Sequence, residues 1–172
     1  MRVLILSDIH GDHENINLII KKEKFDKLII LGDLFNYGFC SNDLKNNEII
    51  KLLQKNKDKL ILIRGNCDNY INFDLINLCA HDVITIPIND HNVTLSHGNR
   101  YKRGFLPEYH GDIFMSGHTH IPMITKQREI IYANPGSISK PRGGSKKTYM
   151  IFEDKKLIIK DLNGKIQKEM EV

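Results

Sequence analysis

The sequence predicts an α/β fold in which two packed β-sheets are flanked by helices, and three observations carry that expectation. Short, wholly apolar runs alternate with helical patterns through the first half of the chain. The second half is a succession of short strands separated by polar turns. No linker, repeat or low-complexity segment divides the 172 residues, a length that suits one domain over 1–172 with a sizeable core.

The first strand is read at about 2–7, VLIL and its flanks, followed by a helix over about 13–23 in which Ile16, Ile19 and Ile20 form an apolar stripe. Asp12 is placed as the N-cap of that helix. KLIILG (27–32) reads as a second buried strand, a helix spans about 43–55, and KLILIRGN (59–66) is a third strand. Strand–helix–strand units of this kind imply a parallel sheet. Further on, HDVITIPI (81–88) and NVTLSHG (92–98) read as neighbouring strands joined at Asn89-Asp90-His91. DIFMSGHTH (112–120), EIIYANPG (129–136), TYMIFE (148–153) and KLIIKDL (156–162) read as short strands, with turns at Asp154-Lys155 and Asn163-Gly164. The segment SKPRGGSKK (139–147) reads as a long functional loop.

Composition narrows the classes. At 41% hydrophobic and 27% charged residues the chain is an ordinary globular sequence. No apolar stretch approaches the roughly 18 to 20 residues of a membrane helix. The apolar run at the N-terminus is too short for a signal peptide, which points to the cytosol. Cys40, Cys67 and Cys79 are three in number and form no CxxC, so reduced thiols are expected. The net charge of +4 permits an anionic substrate without requiring nucleic acid.

The chemistry gathers at strand ends. Asp8 and His10 close the first strand, Asp33 the second and Asn66 the third, and in open α/β sheets that edge is where ligands bind. The later strands add His97 after TLS, and His118 and His120 in GHTH. Glycines beside them, Gly11, Gly32, Gly65, Gly98 and Gly117, allow tight turns that aim side chains into a cleft. Any one of these motifs is common by chance, but seven candidate ligands, each at a strand end, point to metal. Two Asp, one Asn and four His make a mixed nitrogen–oxygen set suited to Mn²⁺, Fe²⁺ or Zn²⁺. Seven ligands exceed one ion and fit two divalent cations sharing a carboxylate, a common arrangement for phosphoryl hydrolysis.

The ordered set SDIHG (7–11), GD (32–33), GNCD (65–68), SHG (96–98), GHTH (117–120) and NPGS (134–137) resembles the calcineurin-like metallophosphoesterases. Within them it looks most like the small bacterial YfcE-type phosphodiesterases. The resemblance implies a four-layer α/β/β/α sandwich and two divalent cations, Mn²⁺ before Fe²⁺, Ni²⁺ or Zn²⁺. Asp8, His10, Asp33 and His120 would hold one cation. Asp33 would bridge to a second completed by Asn66, His97 and His118. The implied reaction is in-line attack of a metal-bridging hydroxide on a small or nucleotide-like phosphodiester, with Asp33, Asn66, Cys67 and His97 as the catalytic set.

Cys67 departs from the superfamily's GNH[DE] motif. A thiol is a poorer proton donor than imidazole at neutral pH, which predicts a preference for stabilised leaving groups. Asn36 and Arg142 are candidates for substrate contact, and Lys140, Lys146, Lys147, Arg100, Lys102 and Arg103 are weaker ones. Asp68 either orients a ligand or closes a turn. His13, His81, His91 and His110 read as structural or exposed. The other readings are a nuclease, which the modest charge disfavours, and a catalytically inactive Vps29-like scaffold for partner proteins. The C-terminal strands leave room for a homo-oligomer.

Overall fold

The computed structural model describes residues 1–36 and 44–172 of the chain. Cys40 and the tail of the ILGDLFNYG motif lie outside them. Among the described residues, twelve strands form two mixed sheets. The first sheet has the order β12-β11-β10-β1-β2-β3-β4, from Ile166–Glu171, Lys156–Asp161, Thr148–Glu153, Val3–Leu6, Lys27–Ile30, Leu60–Ile63 and Ala80–His81. The second has the order β5-β6-β7-β9-β8, from Val83–Ile88, His91–Ser96, Ile113–Met115, Ile130–Asn134 and Met123–Gln127. Helices α1 (His13–Lys22), α2 (Leu44–Lys55) and α3 (Tyr70–Leu75) complete the described elements.

The unbroken apolar run of β1 has a direct cause. Alternate residues face opposite ways on a strand, and both faces of β1 are covered. Val3 and Ile5 enter the core between the sheets with Leu95, Met115 and Met150. Leu4 and Leu6 enter a second core with Ile16 and Ile19 of α1, Ile49 and Leu53 of α2 and Phe73 of α3. A strand buried on both sides has no polar face to show. β1, β2 and β3 run parallel, as do β6, β7 and β9, so the carboxyl ends of each set share an edge.

The two-sheet sandwich is as expected, and its flanking layers are unequal. All three described helices line the core against the seven-stranded sheet. The outer face of the other sheet is covered by the connection between β6 and β7. There Gly111 N–H donates to Thr94 Oγ1 at 2.8 Å and the Arg103 guanidinium lies over the Tyr132 ring.

HDVITIPI is two strands rather than one. The chain leaves the first sheet after His81 and enters the second at Val83. Asp82 at the crossing is held by Arg64 and by the Tyr70 hydroxyl, at 2.8 and 2.6 Å. The turn Asn89-Asp90 has both residues in the left-handed region (φ 47° and 69°), the conformation of a tight two-residue hairpin. Asp12 caps α1 as expected, accepting from Asn15 N–H at 3.1 Å. No described helix is long and apolar enough to cross a membrane.

Candidate metal centre

All seven predicted ligands come together where the carboxyl ends of the two sheets meet. Asp8 and His10 follow β1, Asp33 follows β2, Asn66 follows β3, His97 follows β6, and His118 and His120 follow β7. Five of them, Asp8, His10, Asp33, His118 and His120, have positive φ between 46° and 65°. Non-glycine residues adopt that region at a cost, in tight turns and at functional sites. The sequence suggested that neighbouring glycines make the sharp turns; Gly11, Gly32 and Gly98 do (φ 76°, 93° and 113°), and five of the candidate ligands share the left-handed backbone with them. Gly65 and Gly117 serve a different need, which is close approach. A Cβ on Gly65 would lie 2.2 Å from Asp33 N, and one on Gly117 would lie 1.8 Å from Ser7 Oγ.

The ligand atoms of Asp8, His10, Asp33 and His120 lie within 4.8 Å of one another. His10 Nε2 is 3.3 Å from His120 Nε2, and His120 Nε2 is 3.2 Å from Asp8 Oδ1. On the other side, His97 Nε2 lies 3.1 Å from Asn66 Oδ1 and 3.4 Å from Asp33 Oδ1, with the His118 ring 5.1 Å from that of His97. Asp33 faces both groups, its Oδ2 being 3.7 Å from His10 Nε2.

The tautomers make this arrangement informative. His120 Nδ1 lies 2.6 Å from the Lys140 carbonyl and His97 Nδ1 2.7 Å from the Leu31 carbonyl. A carbonyl only accepts, so each Nδ1 carries hydrogen and each Nε2 lone pair points at other acceptors. Such a set favours positive charge among the ligands, either protons or cations. Fully buried Asp8 Oδ1 has no hydrogen-bond partner among the described residues, which is the mark of a group built for a cation. The donor set therefore fits divalent metal, and the carbonyls behind the imidazoles are the usual orienting partners of metal-binding histidines.

The titration tendencies agree. Burial alone would raise the Asp33 carboxyl, but the protonated form of His97 and the Cys67 N–H outweigh it and hold it well below the usual range. Burial would lower His97, yet its contact with Asp33 raises it. His120 is raised chiefly by Asp8. His10 and His118 are lowered by burial, with His97 adding to the effect on His118. The neighbouring carboxylates thus favour protons on His97 and His120, while burial disfavours them on His10 and His118.

A supporting layer fixes the loops. Asp8 Oδ2 accepts from Ser7 Oγ and from His118 N–H, the latter at 3.0 Å and joining the two sheets. Asp68, 4% exposed, accepts from Leu34, Phe35 and Gly65 N–H groups. It therefore ties the Asp33 loop to the Asn66 loop, as an orienting rather than a merely turn-closing residue. Burial pushes its carboxyl up against the pull of those three N–H groups. Ser137 and Ser139 both donate to the Asp8 carbonyl, at 2.7 and 2.9 Å, and Asn134 donates to the Gly117 carbonyl at 2.7 Å. The NPGS motif is the only local signal of these residues in the sequence.

A cleft of about 320 Å³ opens over the cluster, lined by Asn36, Cys67, Lys140 and Arg142 beside the ligands. Two of the predicted basic contacts are spoken for elsewhere: Lys146 pairs with Asp161 at 3.1 Å and Lys147 with Asp12 at 3.3 Å. Arg103 binds Gln127, and neither it nor Arg100 nor Lys102 lines the cleft. Asn36 does, holding the His10 carbonyl with its amide and accepting from Lys140 Nζ at 3.0 Å.

A two-sheet sandwich with this donor cluster at its edge is the frame of a metallophosphoesterase. The chain belongs to the calcineurin-like phosphoesterase superfamily, whose domain model matches residues 1–156. It is 31% identical over 176 residues to the phosphodiesterase YfcE of Escherichia coli, covering 95% of this chain and 93% of that one. The solved structure of Yfce, a phosphoesterase from E. coli, superposes with a TM-score of 0.87 at 26% identity, covering 99% of both chains. Vacuolar protein sorting 29 from Cryptosporidium parvum shares the fold, with a TM-score of 0.70 at 18% identity and 99% of this chain covered.

Proposed function

We propose that this protein is a two-metal-dependent phosphodiesterase acting on small phosphodiesters. One observation carries the reading: ligand atoms of Asp8, His10, Asp33 and His120 lie within 4.8 Å of one another, with Asn66, His97 and His118 gathered on the other side of Asp33, and buried Asp8 Oδ1 has no hydrogen-bond partner among the described residues. Asp8, His10, Asp33 and His120 would hold one cation; Asp33, Asn66, His97 and His118 the other. Asp33 suits the shared position because its two oxygens face the two groups. The mixed nitrogen–oxygen donors suit Mn²⁺, Fe²⁺, Ni²⁺ or Zn²⁺, and the family resemblance puts Mn²⁺ first among them. When bound, such cations supply Lewis acidity at the phosphoryl group and lower the pKa of water.

The chain's own residues do the remaining work. Lys140 and Arg142 bring positive charge to the cleft where an anionic ester would sit. The backbone carbonyls of Leu31 and Lys140 hold the protons on Nδ1 of His97 and His120, so that both Nε2 atoms stay available. Cys67 stands where a proton-donating histidine would serve a poor leaving group, so esters with stabilised leaving groups are preferred. The name of the E. coli relative supports diesters over monoesters. The complete donor set favours an enzyme over a scaffold of the same fold, and three cysteines without a CxxC spacing support a reducing compartment, the cytosol.

The test is to strip the protein with chelator, add Mn²⁺, and compare bis(p-nitrophenyl) phosphate with p-nitrophenyl phosphate. Metal-dependent cleavage favouring the diester is expected. Metal binding without cleavage of either ester would overturn the phosphodiesterase reading.

A further inference from the structure

The cleft over the metal centre has a neighbour. A second cavity of about 360 Å³ shares His10, Asn36 and Lys140 with it and extends along the start of α1, where Asp12, His13 and Glu14 line it. Asn46 of α2 and Ser139 form other walls. A phosphodiester differs from a monoester in having two organic arms on one phosphorus. Two cavities of similar size that meet beside the donor cluster provide separate space for each.

The lining states what the second arm should be. Its walls carry hydrogen-bonding side chains from five elements or loops, and its described residues include no aliphatic side chain. The charges nearly cancel: Lys140 opposes Glu14, and Asp12 is already paired with Lys147 and engaged as the cap of α1. A balanced set of donors and acceptors suits neutral hydroxyl groups, because each buried hydroxyl then finds partners. An apolar arm would strand those polar groups, and sites that hydrogen-bond a hydroxyl discriminate strongly against analogues lacking it.

We infer that this cavity is the subsite for the second ester arm, and that the arm is a small, neutral, polyhydroxylated alcohol of the glycerol or sugar class. Lys140, at the junction, holds the anionic phosphodiester between the two arms. Its backbone carbonyl also orients His120, so the segment that recognises substrate is the segment that aims a ligand. The inference rests on the phosphodiesterase reading.

Three p-nitrophenyl phosphodiesters, with glyceryl, ethyl or aminoethyl as the second arm, separate the possibilities on the Mn²⁺-loaded protein. The glyceryl ester should exceed the ethyl ester at least tenfold in kcat/KM, chiefly through KM. Glu14→Ala and His13→Ala should each shrink that ratio at least threefold, while Glu14→Gln, which keeps an acceptor, should retain most of it. Glyceryl and ethyl esters cleaved equally, or a ratio unmoved by the alanine variants, would overturn the subsite while leaving the phosphodiesterase standing. A preference for aminoethyl would overturn the neutral class. Failure to cleave all three would instead strike the phosphodiesterase reading itself.

Discussion

Replacing Asp68 should weaken the fold and the metal centre together. Its buried carboxylate accepts from Leu34, Phe35 and Gly65 N–H at 3.0, 3.2 and 2.9 Å. Asp68→Ala would leave three donors without their acceptor between the loops that bear Asp33 and Asn66. Stranding a buried donor costs about 1–3 kcal/mol, partly recovered by relaxation and entering water. A total loss of about 3–5 kcal/mol follows, a large share of the roughly 5–15 kcal/mol stability of a domain. Asp68→Asn keeps one acceptor oxygen and should lose on the order of 1–3 kcal/mol. Urea denaturation of metal-free protein measures both, with the midpoint falling and the slope unchanged. Mn²⁺ titration of the same variants should show affinity lower by about 10–100-fold, as when the support behind a ligand is removed. An Asp68→Ala variant within about 0.5 kcal/mol of the parent, the usual range for an inert surface change, would refute the reasoning.

Other outcomes follow from the same geometry. Asp8→Asn should abolish the thermal stabilisation that Mn²⁺ gives the parent, which is about 2.7 kcal/mol at a hundredfold excess over Kd; a full shift in the variant contradicts the ligand role of Asp8. Cys67→His should raise turnover of alkyl relative to aryl phosphate esters by about 10-fold or more, and an unchanged ratio in steady-state assays contradicts the leaving-group argument. Arg142→Ala should raise KM for a diester, whereas Lys146→Ala, whose ammonium is engaged by Asp161, should change it less than twofold by the small scale of surface substitutions. Away from the site, burial would raise the Glu23 carboxyl, but hydrogen bonds from Tyr149 and Arg2 outweigh it and hold it below the ordinary 4.5. A lowered carboxyl contributes stability that is present above the unfolded-state value and lost as pH falls through the folded-state value. Glu23→Gln should therefore flatten the loss of melting temperature below about pH 4.5, and an unaltered slope there contradicts it.

The legible parts of the molecule were those with strong local signals. β1, β2 and β3 were visible because burial on both faces removes polar residues from them. The seven candidate ligands were visible because each sits one to five residues past a strand end, and all but Asp8 and His120 are next to a glycine. β12 was not, since Ile166–Glu171 is an edge strand with mostly exposed, charged side chains and no apolar alternation. β8 and the short α3 lacked periodicity long enough to register. The break at Asp82 depends on partners distant in sequence, Arg64 and Tyr70. The same holds for the orienting layer: serine hydroxyls on the Asp8 carbonyl span about 130 positions of chain. Charge in the 139–147 loop was visible, but which lysines were already paired with Asp12 and Asp161 was not.

The most direct test of the account is metal stoichiometry by elemental analysis after loading with Mn²⁺ and removing excess, on the parent chain and on His118→Ala. The account predicts two manganese ions per chain in the parent and about one in the variant, with diester hydrolysis lost alongside the second ion. A parent that retains one ion or none, while folded and monodisperse, would contradict it.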